Sequence, residues 1–156
     1  MTAADRHIVV GYDHGQASRH ALDVAAALAL DLNAHVHVVH VLDLSDYPVG
    51  PEEPEWEESA LLRLAEEGEE AARQLQAWAG EWSYHLERGE PVEALCWVAD
   101  QHEALMIVVG SGGQKGRVVL HRLLEGGSVS LRLVRCSRRP VLVVPLNSHS
   151  GLPPTM

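Results

Sequence analysis

Residues 104–110 read Ala-Leu-Met-Ile-Val-Val-Gly, a run with no polar residue on either alternating face. A strand of that kind has to be covered on both sides, so it belongs in a parallel sheet layered between helices. Related runs occur at His7 to Asp13 (His-Ile-Val-Val-Gly-Tyr-Asp), at His35 to Leu42 and at Pro140 to Pro145. A shorter alternating run, Trp82 to Glu87, reads as a further strand. The segments between them change period. Ala21, Leu22, Ala25, Ala26, Leu28, Ala29 and Leu32 fall at helical spacing from Gln16 onward, and a long amphipathic pattern runs from Glu55 to Gly80 with Gly68 as its weak point. Pro91 opens a third helix, and a last one is expected over about Ser128 to Ser137. The order βαβαβαβαβ predicts a single-domain α/β fold, an open, doubly wound five-stranded parallel sheet within residues 1–146. Asn147 to Met156, with its serines and prolines, is expected to be a mobile tail.

Length and charge narrow the function. The 156 residues, 46% hydrophobic, suffice for one domain with a real core. A formal net charge of −10 disfavours binding to nucleic acid. No apolar run has the length of a membrane span, and Met1 to His7 carries no signal-peptide pattern. Cys96 and Cys136 lack ligand spacing and read as reduced, packed thiols, so the expected compartment is the cytoplasm.

In an open parallel sheet the ligand crevice lies beyond the carboxyl ends of the strands. The loop after the 104–110 strand reads Gly110-Ser-Gly-Gly-Gln-Lys-Gly116, and Gly126-Gly127 precedes Ser128-Val-Ser130 at the last helix. Glycines let backbone N–H groups approach a ligand, and a helix start adds oriented donors, a combination suited to phosphate. Lys115, Arg117, Arg122, Arg132, Arg135, Arg138 and Arg139 crowd the same stretch against one acid, Glu125. The helix dipole accounts for the last four and not for the first three. Lys115 is followed by Gly116, which excludes a Walker loop, and Gly11-Tyr-Asp-His-Gly15 is not a dinucleotide fingerprint.

The ordered set resembles the universal stress protein family over about Arg6 to Leu146. It comprises Ile8-Val-Val-Gly-Tyr-Asp13, His40-Val41, Gly89-Glu-Pro-Val-Glu-Ala-Leu95, Ile107-Val-Val-Gly-Ser-Gly-Gly113, Gly127-Ser-Val-Ser130 and Arg139-Pro-Val-Leu-Val-Val-Pro145. The resemblance implies a Rossmann-like fold of the adenine nucleotide alpha hydrolase type. It also implies ATP as ligand and a homodimer built through the last strand. ATP-binding members carry Gly-x2-Gly-x9-Gly-Ser/Thr. Gly110, Gly113 and the pair Gly127-Ser128 match it with 13 residues in place of nine; Gly113, Gly116 and Gly126 restore the spacing but put Gly127 where Ser/Thr belongs. The first alignment is preferred, with a longer phosphate loop.

Carried over residue by residue, the resemblance implies a nucleotide site of Tyr12, Asp13, Val41, Val109, Gly110, Gly112, Gly113, Gly127, Ser128, Val129 and Ser130. Asp13 would accept hydrogen bonds from ribose or adenine, Val41 would pack on the base, and the glycines with Ser128 and Ser130 would hold ribose and phosphates. Turn-capping for Asp13 and core packing for Val41 are the competing structural roles. The residues leave open whether Mg²⁺ accompanies the phosphates.

Catalysis lacks support: there is no Gly-x-Ser-x-Gly elbow, no paired carboxylates and no Ser-Gly-Gly-x-Asp-Ser loop. The expected role is regulatory nucleotide binding, with weak ATP hydrolysis at most. The alternatives are a family member that binds no nucleotide and acts as a dimeric interaction module toward an unidentified protein, or a slow ATP hydrolase. His35, His37 and His40 invite a metal site, but alternation sends His40 to the opposite face and no carboxylate or cysteine is adjacent. They are expected to be strand residues at edges or helix contacts. His14 and His121 flank the candidate loops and read as exposed loop histidines. Glu66, Glu67, Glu69 and Glu70 read as a solvated helix side, and Trp56, Trp78, Trp82 and Trp97 as core or interface residues.

Overall fold

The computed structural model describes residues 5–13, 15–42, 55–111 and 129–146. Their elements are β1 (His7–Gly11), α1 (Gln16–Leu32), β2 (His35–Leu42), α2 (Glu55–Gln74), β3 (Trp82–Arg88), α3 (Pro91–Gln101), β4 (Met106–Gly110), α4 (Val129–Cys136) and β5 (Val141–Val144). The strands form one parallel sheet in the order β3-β2-β1-β4-β5, the doubly wound α/β arrangement expected from the sequence.

Strand alternation divides the core in two. Ile8, Val10, Val36, Val38 and Val108 face the alanine stripe of α1 and Ala71 of α2. Val9, Val39, Ile107 and Val109 face Val92, Leu95 and Val98 of α3 and Leu133 of α4. The alanines let α1 lie close to the sheet. A Cβ placed on Gly110 would stand 2.6 Å from the carbonyl carbon of Ala17, so this glycine is required by helix–strand packing.

The helix ends have local causes. Asn33 takes a left-handed φ of 52° after α1, and the Ala34 N–H donates to the Ala29 carbonyl. Glu90 caps α3 by accepting from the Glu93 N–H at 2.9 Å, with Pro91 in the first turn. After α3, Glu103 adopts φ 49° and the Ala104 N–H donates to Ala99, which sets His102 at the turn.

The ends of α2 and β1 fall short of expectation. The second helix ends at Gln74 and not Gly80, because Trp78 folds back and its indole N–H donates to the Ala26 carbonyl at 3.1 Å. The helix runs through Gly68 without a break, and a Cβ there would make an ordinary contact with the Tyr84 ring at 3.4 Å. Strand β1 closes at Gly11, although the Tyr12 N–H still reaches the Val39 carbonyl at 2.9 Å. The glycine loop beyond Ser111, its basic residues Lys115, Arg117 and Arg122, and the segment 147–156 lie outside the described residues.

Candidate functional site

Strand order changes direction between β1 and β4, whose carboxyl ends stand side by side. Gly11 is wedged there: a Cβ on it would lie 3.1 Å from Val109 and 3.4 Å from Leu95. Beyond β1, one Asp13 carboxylate oxygen accepts from the Gly15 N–H at 2.9 Å, while the Asp13 N–H donates to the Ser18 hydroxyl at 3.2 Å. Asp13 therefore closes the turn into α1, and its carboxylate, with about four acceptor positions, has capacity for further donors. It is exposed, as a ligand contact requires.

The other candidates are distributed unevenly about the carboxyl ends of the strands. Tyr12 is 3% exposed with its ring in the α1-side core, and burial, reinforced by Glu70, pushes its hydroxyl pKa up. Val41 is half-buried and Val109 buried, both on the α3 and α4 side. Gly110 ends β4 with Ala17 against it. Val129 and Ser130 begin α4 and are half-buried. Gly112, Gly113, Gly127 and Ser128 lie outside the described residues, as do His14 and His121.

Two of the clustered arginines hold helices together. Arg132 pairs with Glu90 at 2.6 Å, joining α4 to the start of α3. Arg139 reaches Asp100 at 3.4 Å and the Ala104 carbonyl at 3.2 Å, stitching the approach to β5 onto the end of α3. On the acidic helix, Glu70 is not simply solvated, since it pairs with Arg19 of α1. Trp78 and Trp82 pack against the core and Trp97 is exposed. Cys96 and Cys136 are free thiols, and burial raises the Cys96 pKa.

At the amino ends of the strands the structure assembles a second polar group. Register puts His7 beside His35, Val9 beside His37, His37 beside Ser83, and Val39 beside His85. His102 closes over them from the end of α3, with its ring stacked on His37 at 3.9 Å. His35 and His37 share a face as alternation requires, but His7, His85 and His102 come from elements far apart in sequence. Matching strand parity between His7 and His35 was the one signal available before folding.

Comparison with known proteins is consistent across sequence and structure. The sequence model of the Universal stress protein family matches residues 5–145. The universal stress protein MJ0531 of Methanocaldococcus jannaschii is 34% identical over 143 residues, covering 89% of this chain and 81% of that one. The structure of the hypothetical protein MJ0577 superposes with a TM-score of 0.73 at 23% identity, covering 91% of this chain and 96% of its own. A universal stress protein solved in complex with cAMP is 26% identical, with a TM-score of 0.62 over 91% of this chain and 98% of its own.

Proposed function

The chain belongs to the universal stress protein family, and from that premise we propose that it binds an adenine nucleotide, ATP foremost, at the carboxyl ends of β1 and β4. Binding in place of turnover is the function, and the protein acts as a cytoplasmic regulator. The observation that supports this reading is the strand-order switch between β1 and β4, with exposed Asp13 just beyond β1 and Gly110 at the end of β4. A relative with a cAMP complex supports the ligand class.

Asp13 holds the ribose hydroxyls, and Val41 and Val109 supply the apolar wall for the base. Val129 and Ser130 offer donors from the first turn of α4. Gly112, Gly113, Gly127 and Ser128 enter the proposal through the family's glycine motif alone. Strand β5 is a sheet edge with Val141 and Val143 half-buried, and a second copy pairing along it forms the homodimer.

A second reading, a family member that binds no nucleotide and serves as an interaction module, is favoured by the commitment of Asp13 to the Gly15 turn. Calorimetric titration with ATP, ADP, AMP and cAMP at physiological salt separates the two. Saturable heat with ATP, accompanied by a rise in Tm, is expected. Absence of both with every nucleotide would leave the module reading.

A further inference from the structure

Half of the chain's ten histidines meet at one point on the sheet. His7, His35, His37, His85 and His102 form a cluster at the amino end of β1 and β2, flanked by β3 and the end of α3. It lies toward the opposite ends of the strands from the proposed nucleotide site. The His7 and His37 ring centroids are 5.1 Å apart, those of His35 and His37 4.5 Å, and those of His37 and His85 5.0 Å. His37 is 3% exposed and central. Its Nε2 lies 2.9 Å from His7 Nδ1, and its Nδ1 lies 2.9 Å from His85 Nε2 and 3.1 Å from the Ser83 hydroxyl.

We infer that His7, His37 and His102 are the protein ligands of a late first-row divalent cation of the Zn²⁺ type. One ligand nitrogen from each of the three lies within 4.8 Å of the others. A tetrahedral zinc with bonds of about 2.1 Å spaces its nitrogens about 3.4 Å apart, so ring movements of about an ångström close the set on one ion. The facing pair His7 Nδ1 and His37 Nε2 is already closer than that, and an ion between them replaces their hydrogen bond.

The donor set selects the metal. Three imidazoles suit zinc, copper or nickel and give magnesium or calcium none of the oxygens they require. An imidazole ligand also needs its second nitrogen held. His37 has that support, because its Nδ1 donates toward His85 Nε2 and Ser83 when Nε2 takes the ion. His7 and His102 are half-buried, which leaves the ion an approach from solvent and a fourth position for water.

The test uses the untagged full chain at pH 7.5. Chelator-competition titration is expected to show one equivalent of Zn²⁺, and Co²⁺ substitution to give visible d–d bands without a sulfur charge-transfer band. His7→Gln and His102→Gln, each checked by circular dichroism, are expected to weaken binding 10-fold or more. A Cys96→Ser/Cys136→Ser variant is expected to bind as the unaltered chain does. The inference is overturned if the unaltered chain takes up no Zn²⁺ at about 0.1 mM, a result that needs no variant to fold. Equal affinity in both glutamine variants, or a sulfur band with cobalt, also overturns it.

Discussion

The two ends of the sheet are built on opposite plans. At the carboxyl ends β1 and β4 finish in small residues, Gly11 and Gly110, and the polar chemistry is left to the turn after β1, where Asp13 accepts from the Gly15 N–H. At the amino ends the polar groups are strand residues themselves, with His7, His35, His37 and His85 projecting from the sheet beneath His102. Turns can move to meet a ligand, whereas a strand side chain is fixed by its register. A site made of loops can be tuned by insertion; one made of strand residues is set once the sheet has formed.

Acid should break this contrast most strongly from the histidine end. In the metal-free chain, with chelator present, the folded-state pKa of His37 lies near 3 against 6.5 unfolded. The unfolded chain then binds more protons across that interval, so stability is complete above about pH 6.5 and is lost progressively on acidification toward 3. His85 and His102 shift in the same direction, each through burial first, while Glu87 opposes the shift at His85 and Glu81 lies 3.7 Å from His35. Urea unfolding at pH 7 and pH 4.5 should differ by about 2.5 kcal/mol from His37 alone, and a His37→Gln variant should show a shallower profile. A flat profile would remove the electrostatic basis of the comparison.

At the carboxyl end the largest effect should be steric. Gly110→Ala drives a methyl group within 2.6 Å of the Ala17 backbone, which the fully packed α1 cannot yield cheaply. A loss of about 2 kcal/mol is expected by urea unfolding. A neutral result would return Gly110 to a purely ligand-facing role.

How much of this was legible beforehand differs between the same two ends. The bounds Gln16–Leu32 and His35–Leu42 follow from a change of period at Asn33-Ala34, and the structure reproduces them because the left-handed turn at Asn33 is a local event. The end of α2 was not legible, since it depends on the Trp78 indole finding the Ala26 carbonyl 52 positions away. The loops after the first, second and fourth strands are the place to look for a ligand on topology alone. The histidine cluster could not be placed in that way. His7, His85 and His102 become neighbours only through parallel register and the α3 turn, of which the matched parity of His7 and His35 is the one trace along the chain. Even the role of Gly110 was half-seen, as its closeness to Ala17 is a contact between elements.

Two smaller changes sharpen the contrast. Asp13→Ala should lower ATP affinity about tenfold in calorimetry, equivalent to about 1.4 kcal/mol, while leaving Zn²⁺ affinity unaltered. His102→Gln should do the reverse. Coupled losses in either variant would show that the two ends are not independent.

The smallest expected effect tests the turn that delivers His102. Glu103 sits at φ 49°, where a side chain is disfavoured, and the Ala104 N–H bond to Ala99 closes the same turn. Glu103→Gly removes the strained Cβ without touching any histidine. Because glycine also loosens the unfolded chain, the net gain should be only about 0.5 kcal/mol, read as a small rise in the urea midpoint. Zn²⁺ affinity should stay unchanged, since the hydrogen bond, and not the glutamate side chain, holds His102 over His37. If the glycine variant instead bound Zn²⁺ more weakly, the glutamate would be helping to position the third ligand, and the amino-end site would extend from the strands into a turn after all.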